Sequence, residues 1–397
     1  MTTRRQFAHA TALAFASVAT LSWARESDAM ALLQSPLSVD FPAPSPEVHL
    51  LNRISFGITP EELTRIHTIG IDTYIEEQLH PEQIDDSAVD DFIATAFPSV
   101  GMTLSELATL PPADQFRAAA ELRLATVYRA IFSRRQLFEV LVDFWSNHFN
   151  IYQLDGPVIF LKTVDDREVI RAHALGYFPD MLYASAQSPA MLYYLDNFNN
   201  TRFGPNENYA RELMELHTLG VDGGYTEQDV LEVARCFTGW TINPNPAEIG
   251  FIFVPQLHDN GEKQLLGTTI PAGQGIADGE QVLDILAEKP ATARFIAGKL
   301  CRRLVSDDPP ASLIDSVALS YQQTGGDIRA MLRTLLSSPE FAAQQTVNSG
   351  ALEFVVSTLR CYRHAMQDAA ALLAYWPVWN GWDSNLSIGR HRTAIRT

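Results

Sequence analysis

What most limits the folds open to this chain is its punctuation: helix-start signals recur along almost its whole length. Thr59-Pro60-Glu61-Glu62 joins an N-cap residue, a proline at the first helical position and a glutamate three residues after the cap. The cap oxygen and the glutamate satisfy free amides of a first helical turn, so the tetrapeptide starts a helix and suits no strand. That helix is predicted to end near Gly70. Apolar residues at three- and four-residue spacing predict further helices at 72–79, 113–132, 134–150, 165–175, 178–188, 206–219 and 226–238. Thr226 and Asp229 repeat the cap pattern. The pattern changes around 250–270, where Phe251-Ile252-Phe253-Val254, a turn at Asp259-Asn260-Gly261 and Leu265-Leu266 predict a small β-hairpin. Helices resume at 280–288, 291–305, 310–324 and 328–336, and no repeat period appears. The expected fold is mainly α: a single compact multi-helix domain over 50–375 with a small β-hairpin near 250–270.

The N-terminus reads differently. Arg4-Arg5-Gln6-Phe7 precede an Ala-rich apolar run from Ala10 to Ala24, too short to span a bilayer. Paired arginines ahead of such a run read as a twin-arginine export signal, with small-residue cleavage sites after Ala24, Ala29 or Ala31. Residues 1–31 are therefore expected to be a signal peptide and 32–49, with Pro42, Pro44 and Pro46, an extended lead-in. The mature chain is expected in the periplasm or outside the cell, and no later stretch is long and apolar enough to cross a membrane. A net charge of −18, with no Lys/Arg stripe before the C-terminal tail, argues against nucleic acid as a partner, because counterion release needs a local basic surface. Cys236, Cys301 and Cys361 lack CxxC spacing, and an odd count argues against a disulfide framework. Each is expected to be a buried thiol.

Helical projection, at about 100° per residue, shows which polar groups turn inward. On 206–219, Tyr209, Ala210, Leu213, Met214 and Leu216 form one face, and Glu207, Asn208, Arg211 and Glu215 the other. Glu207, Arg211 and Glu215 read as a surface ladder, worth roughly a few tenths of a kcal/mol per pair. His217 falls on the apolar side and Glu212 on the border. On 137–150 the core face is Leu137, Leu141, Phe144 and Trp145, with His148 in its middle and Asp143 and Asn147 at its edge. His173 shares a face with Val169, Ile170 and Tyr177. Inward histidines from separate helices, with carboxylates nearby, are what a metal site in a helical core needs. His148, His217, Glu212 and Asp196 are therefore candidate ligands of a divalent transition metal, with His258 a further candidate. The plainer reading of each is a hydrogen-bonded core, helix-end or turn residue. HExxH, GxSxG and Gly-Lys-Ser/Thr are absent, which removes the common zinc-peptidase, α/β-hydrolase and phosphate-loop readings.

Several blocks together resemble one bacterial family, catalogued as domain of unknown function 1800. They are LLNRISFGITPEEL from Leu50, DFWSNHFN from Asp143, SPAMLYYLDN from Ser188 and NENYARELMELHTLGVDGGYTEQDVLEVARCFTGW from Asn206. HDNGEKQLLG from His258 and KPATARFIAGKLCRRLVSDDPP from Lys289 also fit, and the resemblance covers 46–360. It implies an exported, mostly helical protein without an assigned reaction. It also implies a partner, a second exported protein with a phosphatase- or sulfatase-like fold encoded beside it. By motif it carries over Asp143, Asn147, His148, Asp196, Asn197, Asn206, Glu207, Asn208, Arg211, Glu212, Glu215 and His217, with no catalytic role attached. The end departs from the pattern: after the family-like Tyr375–Trp382 stretch come Arg390-His391-Arg392 and Arg396, so 376–397 are expected to be an atypical, truncated or frame-altered tail.

These observations leave a pair of readings. One is an exported helical protein with a buried His/Asp/Glu site, metal-bound, doing hydrolytic or oxidative chemistry. The other is a non-catalytic cell-envelope binding or assembly protein in which the same residues form a structural polar network. A short distance from His258 to His217 would mark a single site.

Overall fold

Serine and proline open the first described helix. In the computed structural model, which describes residues 44–343 and 351–361, the Ser45 hydroxyl accepts the Val48 amide at 3.4 Å and Pro46 takes the first turn of α1 (Pro46–Ile54). The stretch expected to be extended through 49 is thus helical from Pro46, because a cap and a pre-set proline φ outweigh the proline spacing before it. The α2 helix (Pro60–Ile69) starts with the predicted reciprocal box between Thr59 and Glu62. The signal peptide and the 376–397 tail fall outside the described residues.

The fold is mainly α, as the sequence predicts, with its core spread along the helices. The long α3 (Pro112–Phe132) is followed by α4 (Gln136–His148), which buries Leu137, Leu141, Phe144, Trp145 and His148 as projected. The Trp145 indole N–H donates to the Ala174 carbonyl at 3.1 Å and fixes α4 against the following layer. That layer begins earlier than predicted, with α5 (Val158–Asp165) running into a π-helical segment, Asp166–Arg171.

A second π segment, Leu213–Thr218, continues α6 (Asn208–Glu212). Its i→i+5 register is explicit in the Leu219 amide, which donates to the Met214 carbonyl at 2.9 Å, and the Thr218 hydroxyl adds a side-chain bond to the Leu213 carbonyl at 2.7 Å. Each residue turns through a smaller angle here than in an α-helix, so the projection misplaces Leu216, while Leu213, Met214 and His217 are buried as it places them. Leu216, placed on the apolar face, is 45% exposed. Arg211 pairs with Glu207 at 3.1 Å and with Glu227 at 2.7 Å, at the head of α7 (Glu227–Cys236), and the expected rung to Glu215 is replaced.

The β structure is also rearranged. Among the described residues there are two two-stranded antiparallel sheets, β1 (Trp240–Ile242) with β2 (Phe251–Phe253), and β3 (Lys263–Leu265) with β4 (Thr268–Ile270). Phe251–Phe253 pairs backwards with Trp240–Ile242, and Leu265 belongs to a separate hairpin turning at Leu266 and Gly267 with φ of 48° and 79°. Helices α8 (Ala277–Glu288) and α9 (Pro290–Leu304) follow. No helix of the described residues is long and apolar enough to cross a membrane.

The last described helix, α10 (Ala351–Cys361), returns to the start of the domain. Its fully buried Arg360 donates to the Gly57, Ala130 and Ile131 carbonyls at 2.8, 3.0 and 2.8 Å, and to the Glu62 carboxylate at 2.7 Å. Cys236 and Cys301 are buried as expected, whereas Cys361 is exposed, since it closes α10 just past its packed turn.

Candidate functional site

The second π segment carries His217 into the core beside His148 at the end of α4, with ring centroids 6.1 Å apart. Both histidines are buried. The surroundings are aromatic: Phe144, Trp145, Phe149, Phe178 and Phe295 all have ring centroids within 6.4 Å of the His148 ring. Hydrogen bonding fixes the His148 tautomer. Its Nε2 lies 3.1 Å from the His217 carbonyl, which can only accept, so Nε2–H donates. Its Nδ1 is then the acceptor for Lys299 Nζ, which reaches it from α9 at 2.8 Å.

Lys299 was not among the residues singled out from sequence. It is half-buried, its ammonium 5.3 Å from the Phe295 ring centroid, and among the described residues no carboxylate lies in salt-bridge reach of it. Burial, reinforced by Arg302, lowers its pKa to about 8. Burial also lowers both histidines, with Lys299 adding to the effect: His217 to about 3, and His148 well below the usual imidazole range. The cluster is therefore a neutral imidazole pair with one amine over it. Among the described residues no hydrogen bond reaches the His217 ring, which faces Phe149 at 5.0 Å between centroids.

This donor set does not fit the expected metal centre. His148 has spent both nitrogens, one on a carbonyl and one on a cationic amine that would repel a metal at the same position. Glu212 is half-buried beside Glu215 and Arg211, its carboxyl raised first by burial and then by Glu215. Asp196 is exposed in a left-handed turn at φ 61°, its backbone carbonyl 3.4 Å from the Asn206 amide nitrogen. Among the described residues no three His, Cys, Asp or Glu side chains converge as ligands. His173 turns back on its own helix, its Nδ1 donating to the Val169 carbonyl at 2.8 Å.

His258 belongs to a different cluster. Its ring is wholly buried, with Nδ1 at 2.8 Å from the Thr238 carbonyl and Nε2 at 3.0 Å from Asp278 Oδ2. Lys263, on β3, also binds Asp278 Oδ2 and the Asp259 carbonyl. Burial raises the Asp278 carboxyl, but His258 and Lys263 together hold it below the ordinary range. His258 thus faces Thr238, Asp278 and Phe253, and the single site that would have joined it to His217 does not form.

Other motif residues are structural ties. Asn197 donates to the Trp240 carbonyl at 3.1 Å; Asn200 donates to Asn197 Oδ1 at 3.1 Å and accepts the Asn206 amide at 2.9 Å. Asn206 Oδ1 in turn accepts the Asn208 amide at 3.0 Å, so this asparagine chain sets the entry to α6. Asn147 is exposed and donates to the Asp143 carbonyl at 2.8 Å, while burial raises the Asp143 carboxyl against the pull of Arg303.

A faint signal for Lys299 does exist. Lysine is scarce, with Lys162, Lys263, Lys289 and Lys299 the four in a Lys-plus-Arg total of 29, and Lys299 follows Phe295 and Ile296 by four and three residues, near the apolar face of α9.

No curated protein and no solved structure matched the chain. The family model described as Protein of unknown function (DUF1800) matches residues 49–388, and with that span, which holds both histidines, Lys299 and the asparagine chain, the chain belongs to this family.

Proposed function

We propose that this is an exported protein acting through an amine–imidazole centre, Lys299 with His148, that does acid–base or nucleophilic chemistry. The observation that carries this is the missing counter-charge: Lys299 is drawn out of water with a neutral imidazole as its hydrogen-bond partner and, among the described residues, no carboxylate in reach. A desolvated lysine of that kind supplies neutral amine near physiological pH, which an ordinary surface lysine does not. His148, fixed with Nδ1 as acceptor, is placed to take and return the amine proton. The paired arginines ahead of an Ala-rich apolar run support placing this chemistry outside the cytoplasmic membrane.

The direct test is titration of 13Cε-labelled lysines by NMR, which the small number of lysines makes tractable. One resonance, absent in Lys299→Met, is expected to titrate near 8. If every lysine titrates in the ordinary range of roughly 10 to 11, the proposal fails.

A second reading, a non-catalytic envelope binding or assembly protein with a structural polar network, is favoured by the His258–Asp278–Lys263 cluster and the asparagine chain, whose members satisfy one another. Under it Lys299→Met destabilises the fold. Under the first, it does not.

A further inference from the structure

We infer that Lys299 is a carbonyl-capture site: its amine forms an imine with a small aldehyde or ketone, and His148 carries the proton. This rests on the amine–imidazole reading above and names its substrate class.

The other lysines set the contrast. Lys162 is paired with Asp165 at 2.6 Å and Lys263 with Asp278, while half-buried Lys289 at the head of α9 has Asp229 as an opposite-charge neighbour. Lys299 alone of the four has, among the described residues, a neutral acceptor as its polar contact. The half-burial of Lys299 leaves part of the side chain open to solvent, and its aromatic wall suits a small organic molecule better than an ion. Arg302, the cation that acts on Lys299, favours a neutral or anionic carbonyl compound over a cationic one.

The step balances without a further reactant. The Nζ lone pair adds to the carbonyl carbon and a C–N bond forms, while the carbonyl π pair moves to oxygen, which takes one of the two amine protons and becomes a hydroxyl. His148 Nδ1 accepts a proton from nitrogen and returns it to the hydroxyl, which leaves as water as the C=N bond closes. Amine and carbonyl become imine and water.

The test uses the full chain, glyoxylate as probe and cyanoborohydride to fix any imine, with the labelled lysine mapped by mass spectrometry. At pH 7, Lys299 is expected to be labelled roughly tenfold faster than Lys289, because more of it is neutral amine. His148→Gln is expected to slow labelling at Lys299 and leave Lys289 unchanged, with circular dichroism checking the fold. Labelling of Lys299 no faster than of Lys289 overturns the inference. If that happens while a lysine still titrates near 8, carbonyl capture falls and the amine–imidazole reading stands; if no lysine titrates there, both fall.

Discussion

Two lysines enter the interior of this protein and are received in opposite ways. Lys263 is 1% exposed and meets the Asp278 carboxylate, which His258 also holds, together with the Asp259 carbonyl. Lys299 is half-buried and meets a neutral imidazole under an aromatic wall. Breaking a buried ion pair leaves an uncompensated charge, whereas a buried cation without a counter-ion already carries that cost, and an apolar residue of similar size would be at least as stable there. The difference separates structure from chemistry: the first lysine is met by a carboxylate, and the second is pushed towards neutrality.

The sharpest way to break this comparison is Asp278→Ala. It strands the Lys263 cation and the His258 ring, so a loss of about 3–5 kcal/mol in urea unfolding is expected. A loss below about 1 kcal/mol would remove Lys263 from the compensated class. Asp278 also gives an acid signature: its folded pKa is held below 3.8, so its stabilisation is present above that value and lost as pH falls through the folded one.

Next in size is the imidazole pair. His148 and His217 have folded pKa values below 6.5, so the unfolded chain binds more protons and stability declines as pH drops from 6.5 towards about 3. His217→Gln should flatten that decline by on the order of 1–3 kcal/mol, measured by urea unfolding at several pH values. An unchanged slope would show that the ring titrates as if in water.

The smallest expected effect is the most telling. Lys299→Met is expected to leave stability at pH 7 unchanged or raise it by up to about 1 kcal/mol. Lys299 has a folded pKa of about 8 against 10.5, so wild-type stability should rise with pH across that window, and the variant should lack the rise. A clear loss of stability in the variant would place Lys299 with Lys263 and erase the contrast.

Much of this architecture could be read from local signals. The reciprocal caps at Thr59 and Thr226 act within a single turn, and both appear where predicted. The burial of His148 followed from α-helical geometry, which α4 keeps to its end. His217 was also placed inward, although Leu216 beside it was not placed correctly, because a π register is set by the helix as a whole and has no marker in the spacing. Glu212 joins the histidines by its place on the border of the projected face and Asp196 by its place in a neighbouring motif, but which side chains meet across helices is a tertiary fact. The same limit hid Lys299, whose meaning lies in the absence of a carboxylate near it among the described residues, and Asp278, which gives His258 its partner.

Arg360 has a further consequence for how the chain is made. It reaches three carbonyls and a carboxylate belonging to segments that leave the ribosome some 230 to 300 residues earlier. Until α10 emerges, those groups lack the arginine as a donor. The arginine is thus a clasp that closes late, long after the segments it holds have been made.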